Sequence, residues 1–176
     1  RLVGSEMCIR YRSKIYFLPV KHGDAFIIEC VRGDTQGVVV VDGGPRSCGF
    51  ELKRKLNELG TPDLMVLTHY DEDHIGGILQ LVDTCLDDNM IPAKEVWANC
   101  AGYVEVAASK YTTAAHGMLL SVRLNELAKQ HGMVWRNDLH EGMEFDRPFA
   151  SIEVVSPTED VTKLSLIHIS EPTRRV

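Results

Sequence analysis

Long hydrophobic runs are missing from this chain. Nowhere among its 176 residues does an apolar stretch approach the roughly 20 that a membrane-spanning helix requires, and no segment reads as a secretory signal. An excess of positive charge is missing too. With 19 Lys+Arg against 25 Asp+Glu and a net charge of -6, the chain has no broad basic surface, which excludes stable electrostatic binding to nucleic acid as its main business. A nucleic-acid substrate would have to be held by a local basic strip or by metal ions. The five cysteines show no C-x-x-C spacing, so neither a zinc ribbon nor a dithiol redox motif is present. Reduced thiols in a cytosolic protein are expected, with the cytoplasm as the default location. There is no G-x-S-x-G elbow, no internal repeat and no low-complexity tract. What remains is an ordinary globular composition, 44% hydrophobic and 25% charged, long enough for one domain with a sizeable core.

The two ends do not read as part of that domain. "LVGSEMCIR" (Leu2–Arg10) and "LSLIHISEPTR" (Leu164–Arg174) look like translations of the two strands of one sequencing-library adapter, one forward and one as its reverse complement. Residues 1–12 and 164–176 are therefore expected to be adapter-derived scars, with residues 13–163 forming an authentic but partial domain. On that expectation Met7 is no start codon, Cys8 and His168 carry no function, the parent protein continues at both ends, and the interior is more acidic than the whole.

Short strands come first. "KIYFLPV" (Lys14–Val20) and "DAFIIEC" (Asp24–Cys30) are β-branched and aromatic and are split by the turn "KHG". "GVVVVDGG" (Gly37–Gly44) is a continuous apolar run stopped by an aspartate and two glycines, as suits a strand covered on both faces. Phe50, Leu52, Leu56 and Leu59 then recur at near-helical spacing, ended by Gly60 and Pro62. "DLMVLTH" reads as a strand, "IGGILQLVDTCL" (Ile75–Leu86) as a helix and "EVWAN" as a strand. Ala114–Gly132 reads as an amphipathic helix with Leu119, Leu120, Leu124 and Leu127 as its buried stripe. "MVWR" and "SIEVVSP" complete the strands. This alternation predicts a layered α/β domain with helices packed outside sheet; periodicity leaves open a doubly wound sheet or a two-sheet sandwich.

The densest chemistry lies in "MVLTHYDEDHIGG" (Met65–Gly77), where two histidines and three acidic residues fall within six positions. His69, Asp71 and Asp73 are two apart, so extended backbone puts them on one side. Adjacent Asp73 and His74 need a turn to converge, and Gly76 and Gly77 permit close approach of backbone to the site. Imidazole with carboxylate suits zinc, or manganese and iron as harder alternatives, and converging carboxylates repel unless cations neutralise them. Acidic residues capping the following helix would explain the carboxylates, but neither histidine.

"THYDEDHIGG" resembles the H-x-[HD]-x-D-H signature of the metallo-β-lactamase superfamily, in the variant with Asp at its second position. "VKHGDAFIIE", "VVVVDGG" and "IEVVSPTED" fall in the order found in the branch that includes the hydrolase domain of DNA-uptake competence proteins. The likeness covers roughly Lys14 to Lys163. It implies a four-layer αββα sandwich, of which this chain carries the N-terminal half to two-thirds, with the site at one edge between the sheets. It implies that His69 and Asp71 ligate one metal, and Asp73 and His74 a second. Asp73 would also hold the bridging water, as the catalytic residue, and Asp42 would be a carboxylate behind the ligands that orients their loop. The implied cofactor is a divalent metal, two zinc ions in the complete protein, with manganese or iron as alternatives. The implied activity is hydrolysis by metal-activated water of a small-molecule or nucleic-acid substrate, phosphodiesters first. His22 replaces a glutamine usual in the branch and reads equally as a turn residue or a pocket border.

The departure lies downstream. Relatives in this branch supply further ligands from T-G-D and H-H-G-S-type motifs beyond "VVSPTED", and neither is present. His116, His131 and His140 read as surface histidines. The fragment is thus expected to hold half a site and to be inactive. The alternative from another class is a non-catalytic metal-binding or scaffold protein on the same fold; a flavodi-iron-like redox protein fits less well.

Overall fold

The structure is a computed structural model and describes residues 11–99 and 113–160. Eight strands and three α-helices follow in the order β1 (Tyr11–Phe17), β2 (Phe26–Arg32), β3 (Thr35–Val41), α1 (Gly49–Leu59), β4 (Leu64–Val66), α2 (Glu72–Asp87), β5 (Glu95–Trp97), α3 (Thr113–His131), β6 (Val134–Arg136), β7 (Glu144–Asp146) and β8 (Ser151–Glu153). A single 3-10 turn, Arg46–Cys48, leads into α1. The first six strands form one mixed sheet in chain order, and β7 and β8 form a separate hairpin. β1, β2 and β3 meander antiparallel; β3 to β6 run parallel, joined by helical crossovers. This is the layered α/β class anticipated from the alternation of elements. Helices, main sheet and hairpin make three layers among the described residues.

The valine run of β3 shows why the sheet is buried on both sides. Side chains alternate along a strand, so Val38 and Val40 enter the core under the helices while Val39 faces the other way. The helical side holds Ile27, Met65, Val96, Leu52, Leu56, Ile75, Ile78, Val82, Leu120, Leu124 and Leu127, most of them fully excluded from solvent. On the opposite side Val39, Leu64, Trp97, Leu139 and Phe149 form a smaller cluster under the hairpin. A cavity of about 920 Å³ lies between sheet and hairpin, walled by Val41, Val66, Leu67, Ile152 and Val154 and bordered by His69.

Two expectations about packing need correction. Phe50 lies off the α1 stripe and is 70% exposed, because two residues along a helix turns a side chain about 200° away from Leu52. Leu119 is likewise exposed beside the stripe made by Leu120, Leu124 and Leu127. As an edge strand β1 leaves Tyr11, Ile15 and Phe17 exposed. Of residues 1–12, Tyr11 and Arg12 are described, and they pair with Arg32 and Val31 in β1. The remainder of both expected scars lies outside the described residues, as does Cys100. Cys30, Cys48 and Cys85 are free, and burial pushes the Cys85 thiol up to about 11, which keeps it protonated and unreactive at neutral pH. β7 has no counterpart in the sequence reading, since "EFD" is too short and polar to show periodicity.

One carboxylate gathers much of the polar tie between hairpin and sheet, beside the Thr35 hydroxyl donating to Pro148 O and the Arg32–Asp146 ion pair. Glu95 accepts from Trp97 Nε1 and Arg136 Nε, each at 2.7 Å, and from Arg147 Nη2 at 2.6 Å. Arg147 belongs to the β7–β8 turn, so the contact ties hairpin to sheet, while Phe145 lies 4.4 Å from the Trp97 ring, centroid to centroid. Burial pushes the Glu95 carboxyl up, but the Trp97 and Arg136 hydrogen bonds and the Arg147 and Arg136 charges outweigh it and hold the pKa below the ordinary 4.5. A depressed folded-state pKa stabilises fully above the unfolded value and ceases to do so as pH falls through the folded one. Protection of the β7 and β8 amides, corrected for the intrinsic pH dependence of exchange, should therefore be constant from neutral pH to about 5 and fall in the acid range below 4.5. Glu95→Ala should abolish that pH step and cost about 1–3 kcal/mol in urea unfolding.

Candidate metal centre

β3 and β4 are parallel neighbours, so their C-terminal ends emerge side by side, and the loops beyond them carry the chemistry. Asp42 follows β3 directly. Its backbone adopts φ +55, the left-handed region that aspartate tolerates better than most residues, and its N–H donates to Val66 O at 2.9 Å. Leu67 to Asp71 follow β4, and α2 opens at Glu72. The helix therefore starts three residues before the sequence reading placed it, and Asp73 and His74 lie in its first turn. Helical rotation supplies the bend that adjacent Asp73 and His74 require. Asp71 is the N-cap in extended conformation, but its carboxylate makes no cap bond to the helix. Capping is thus not what that side chain does.

Close backbone packing fixes the loops against each other. Gly43 N donates to His74 O and Gly77 N to Gly44 O, both at 2.8 Å. A Cβ on Gly77 would collide with the Gly43 carbonyl, so α2 can lie this close to the Asp42 loop only with glycine there. Gly23, in the turn containing His22, abuts the Asp73 backbone in the same way, while His22 itself is exposed.

Side-chain hydrogen bonds converge on Asp42, which is 1% exposed. Its Oδ1 accepts Thr68 N–H at 2.8 Å, and its Oδ2 accepts the Thr68 hydroxyl at 2.6 Å and His74 Nδ1–H at 2.9 Å. The Thr68 hydroxyl in turn lies 2.9 Å from His69 Nδ1. An ionised carboxylate only accepts, so Nδ1 of His74 carries a proton toward Asp42, and in the neutral ring Nε2 is then the nitrogen with the lone pair. The two imidazoles face each other with centroids 3.8 Å apart and planes tilted by 48°. Asp71 Oδ2 is 3.7 Å from His69 Nε2, and Asp73 Oδ2 is 3.9 Å from His74 Nε2.

Asp42, His69 and His74 therefore converge where the Asp42 turn meets the start of α2, while Asp71 and Asp73 approach one imidazole each and are not part of that group. Asp42, His69 and His74 can each offer a ligand atom within 4.8 Å of the others, which makes them a possible metal-binding group. A cation held on the Asp42 side would have to replace hydrogen bonds of 2.6 and 2.9 Å already filling that space. Thr68 went unnoticed in the sequence, where a threonine at a strand end signals only β propensity. His131 and His140 are half-buried, and so is His116, whose neighbour Gly117 packs under the Tyr70 ring.

A sequence model of the metallo-beta-lactamase superfamily matches residues 18–96, which run from just after β1 into β5 and include Asp42 and the whole His69–His74 segment. The mixed α/β architecture is consistent with that superfamily's fold. No curated protein matches the chain.

Two substitutions test this frame. Asp42→Ala strands two Thr68 donors and His74 Nδ1, and should cost about 3 kcal/mol in denaturant unfolding. Asp42→Asn, which tolerates the same backbone, should cost less than half of that. Gly77→Ala should destabilise by about 1–3 kcal/mol through overpacking, and its largest amide shifts should fall at Gly43 and Gly44.

Proposed function

We propose that this chain carries part of a metal-dependent hydrolase whose centre is formed by His69, Asp71, Asp73 and His74, oriented from behind by Asp42. One observation carries the reading: the buried Asp42 carboxylate takes Nδ1 of His74, the Thr68 hydroxyl takes Nδ1 of His69, and the flanking aspartates stand on the Nε2 side of the two rings. Members of the superfamily whose sequence model matches are mostly metal-dependent hydrolases, which supports it. The donor set of two imidazoles and two carboxylates fits zinc, with manganese or iron as harder alternatives. When bound, such an ion supplies Lewis acidity and lowers the pKa of a coordinated water.

The protein's own residues have separate tasks. His69 and His74 present neutral Nε2 lone pairs. Asp42 keeps His74 in that tautomer, since a metal-ligating histidine needs its other nitrogen bonded to hold ring orientation. Asp71 and Asp73 supply negative charge, and we assign Asp73 Oδ2 the further role of accepting a proton from the attacking water. The substrate class we favour is a phosphodiester, on the resemblance to the competence-protein branch. We also propose that further strands cover the outer face of the main sheet and bring the remaining ligands. Exposed Tyr11, Ile15 and Phe17 and the apolar cavity beside His69 support that.

Zinc or manganese titrated against a competing chelator tests the centre. His69→Ala and His74→Ala should each weaken binding by about a hundredfold or more, and Asp42→Asn by about 10- to 100-fold with the fold retained. Unchanged affinity in both histidine variants would refute the assignment. Tight metal binding without turnover of phosphodiester, ester, thioester or lactam substrates by the protein carrying all its ligands would identify a metal-binding scaffold instead.

A further inference from the structure

We infer that Thr68 is a positioning residue: its hydroxyl carries the orienting influence of Asp42 to His69, so that one buried carboxylate sets the tautomer of both imidazoles. Asp42 Oδ2 reaches His74 directly at 2.9 Å, but it reaches His69 only through Thr68 Oγ1, by steps of 2.6 and 2.9 Å. A threonine hydroxyl has one hydrogen to give. The carboxylate has none, so the Thr68 hydrogen goes to Asp42 and the hydroxyl oxygen accepts from His69 Nδ1–H. His69 Nε2 is left with the lone pair, as His74 Nε2 is. The two rings would otherwise be independent, because His69 is much the more exposed, its side chain 46% accessible against 11% for His74. Burial cannot orient His69; a hydrogen bond must.

The bland reading of Thr68 is a β-branched residue at a strand end, chosen for shape. Valine then serves as well, being nearly isosteric and equally β-branched. The two readings part at the hydroxyl. Only the consequence for metal affinity rests on the proposed metal centre; the tautomer does not.

The test uses the full chain with 15N-labelled histidine, metal-free, at a pH where both rings are neutral, with long-range 1H–15N spectra of wild type, Thr68→Ser and Thr68→Val. Wild type and Thr68→Ser should show His69 protonated at Nδ1. Thr68→Val should show a mixture or a shift of the proton to Nε2, with His74 unchanged. Zinc affinity, measured by chelator competition, should fall about tenfold in Thr68→Val and stay within about twofold in Thr68→Ser. A Thr68→Val protein that keeps the Nδ1–H pattern at His69 overturns the inference. So does a wild-type His69 protonated at Nε2, a result available even if the valine variant fails to fold. Should no form bind zinc while the tautomer responds as described, the relay stands and the metal-centre reading fails.

Discussion

The buried carboxylate of Asp42 ties together segments far apart in sequence: its own turn after β3, Thr68 after β4, and His74 in the first turn of α2. A charge so enclosed is tolerable only with its acceptor positions filled, and three donors fill them. The loop from Leu67 to Asp71 and the start of α2 therefore cannot drift without stranding it. Position follows from satisfaction: the residues that keep Asp42 bonded are those that bear or adjoin the chemistry.

The sheet makes that convergence possible before any side chain acts. Parallel β3 and β4 place their C-terminal ends together, with α1 as the crossover that brings the chain back to the sheet. Leu52, Leu56, Ile75, Ile78 and Val82 then lock α1 and α2 over the sheet. Glycine removes the last obstacle, letting α2 rest on the Gly43 carbonyl with no intervening side chain. Core packing thus sets the helix axis to within the tolerance that a hydrogen bond of 2.9 Å demands.

Features governed by local periodicity were legible in the sequence. β3 announced itself as four valines, and Leu120, Leu124 and Leu127 as one face of a helix. The histidine and aspartate loop was legible because its composition has no ordinary structural use. Features set by tertiary partners were not. Glu95 meets Arg136 and Arg147 across 41 and 52 residues, and nothing near "EVW" signals it. Phe50 reads as core by hydrophobicity, and only helix phase reveals it as surface. Asp42 was identified as an orienting carboxylate through resemblance, whereas its link to His69 through Thr68 required coordinates, because a hydroxyl's partners lie in space and not in sequence.

The placement of acidic groups around the imidazoles bears on what such a loop is for. Helix N-termini favour negative charge, so Glu72 and Asp73 gain something from the first turn of α2 in any case. Glu72 also meets a local need, its Oε1 accepting Arg46 N–H at 3.3 Å. Those terms account for one carboxylate well. They do not account for two adjacent imidazoles flanked by carboxylates, with Asp71 and Asp73 oxygens 3.7 and 3.9 Å from Nε2 of His69 and His74 while Asp42 holds Nδ1 of His74. At those distances neither carboxylate makes a hydrogen bond to an imidazole nitrogen. A shared cation would give such a grouping a purpose, and that, more than the count of histidines, is the physical ground for the proposed metal centre.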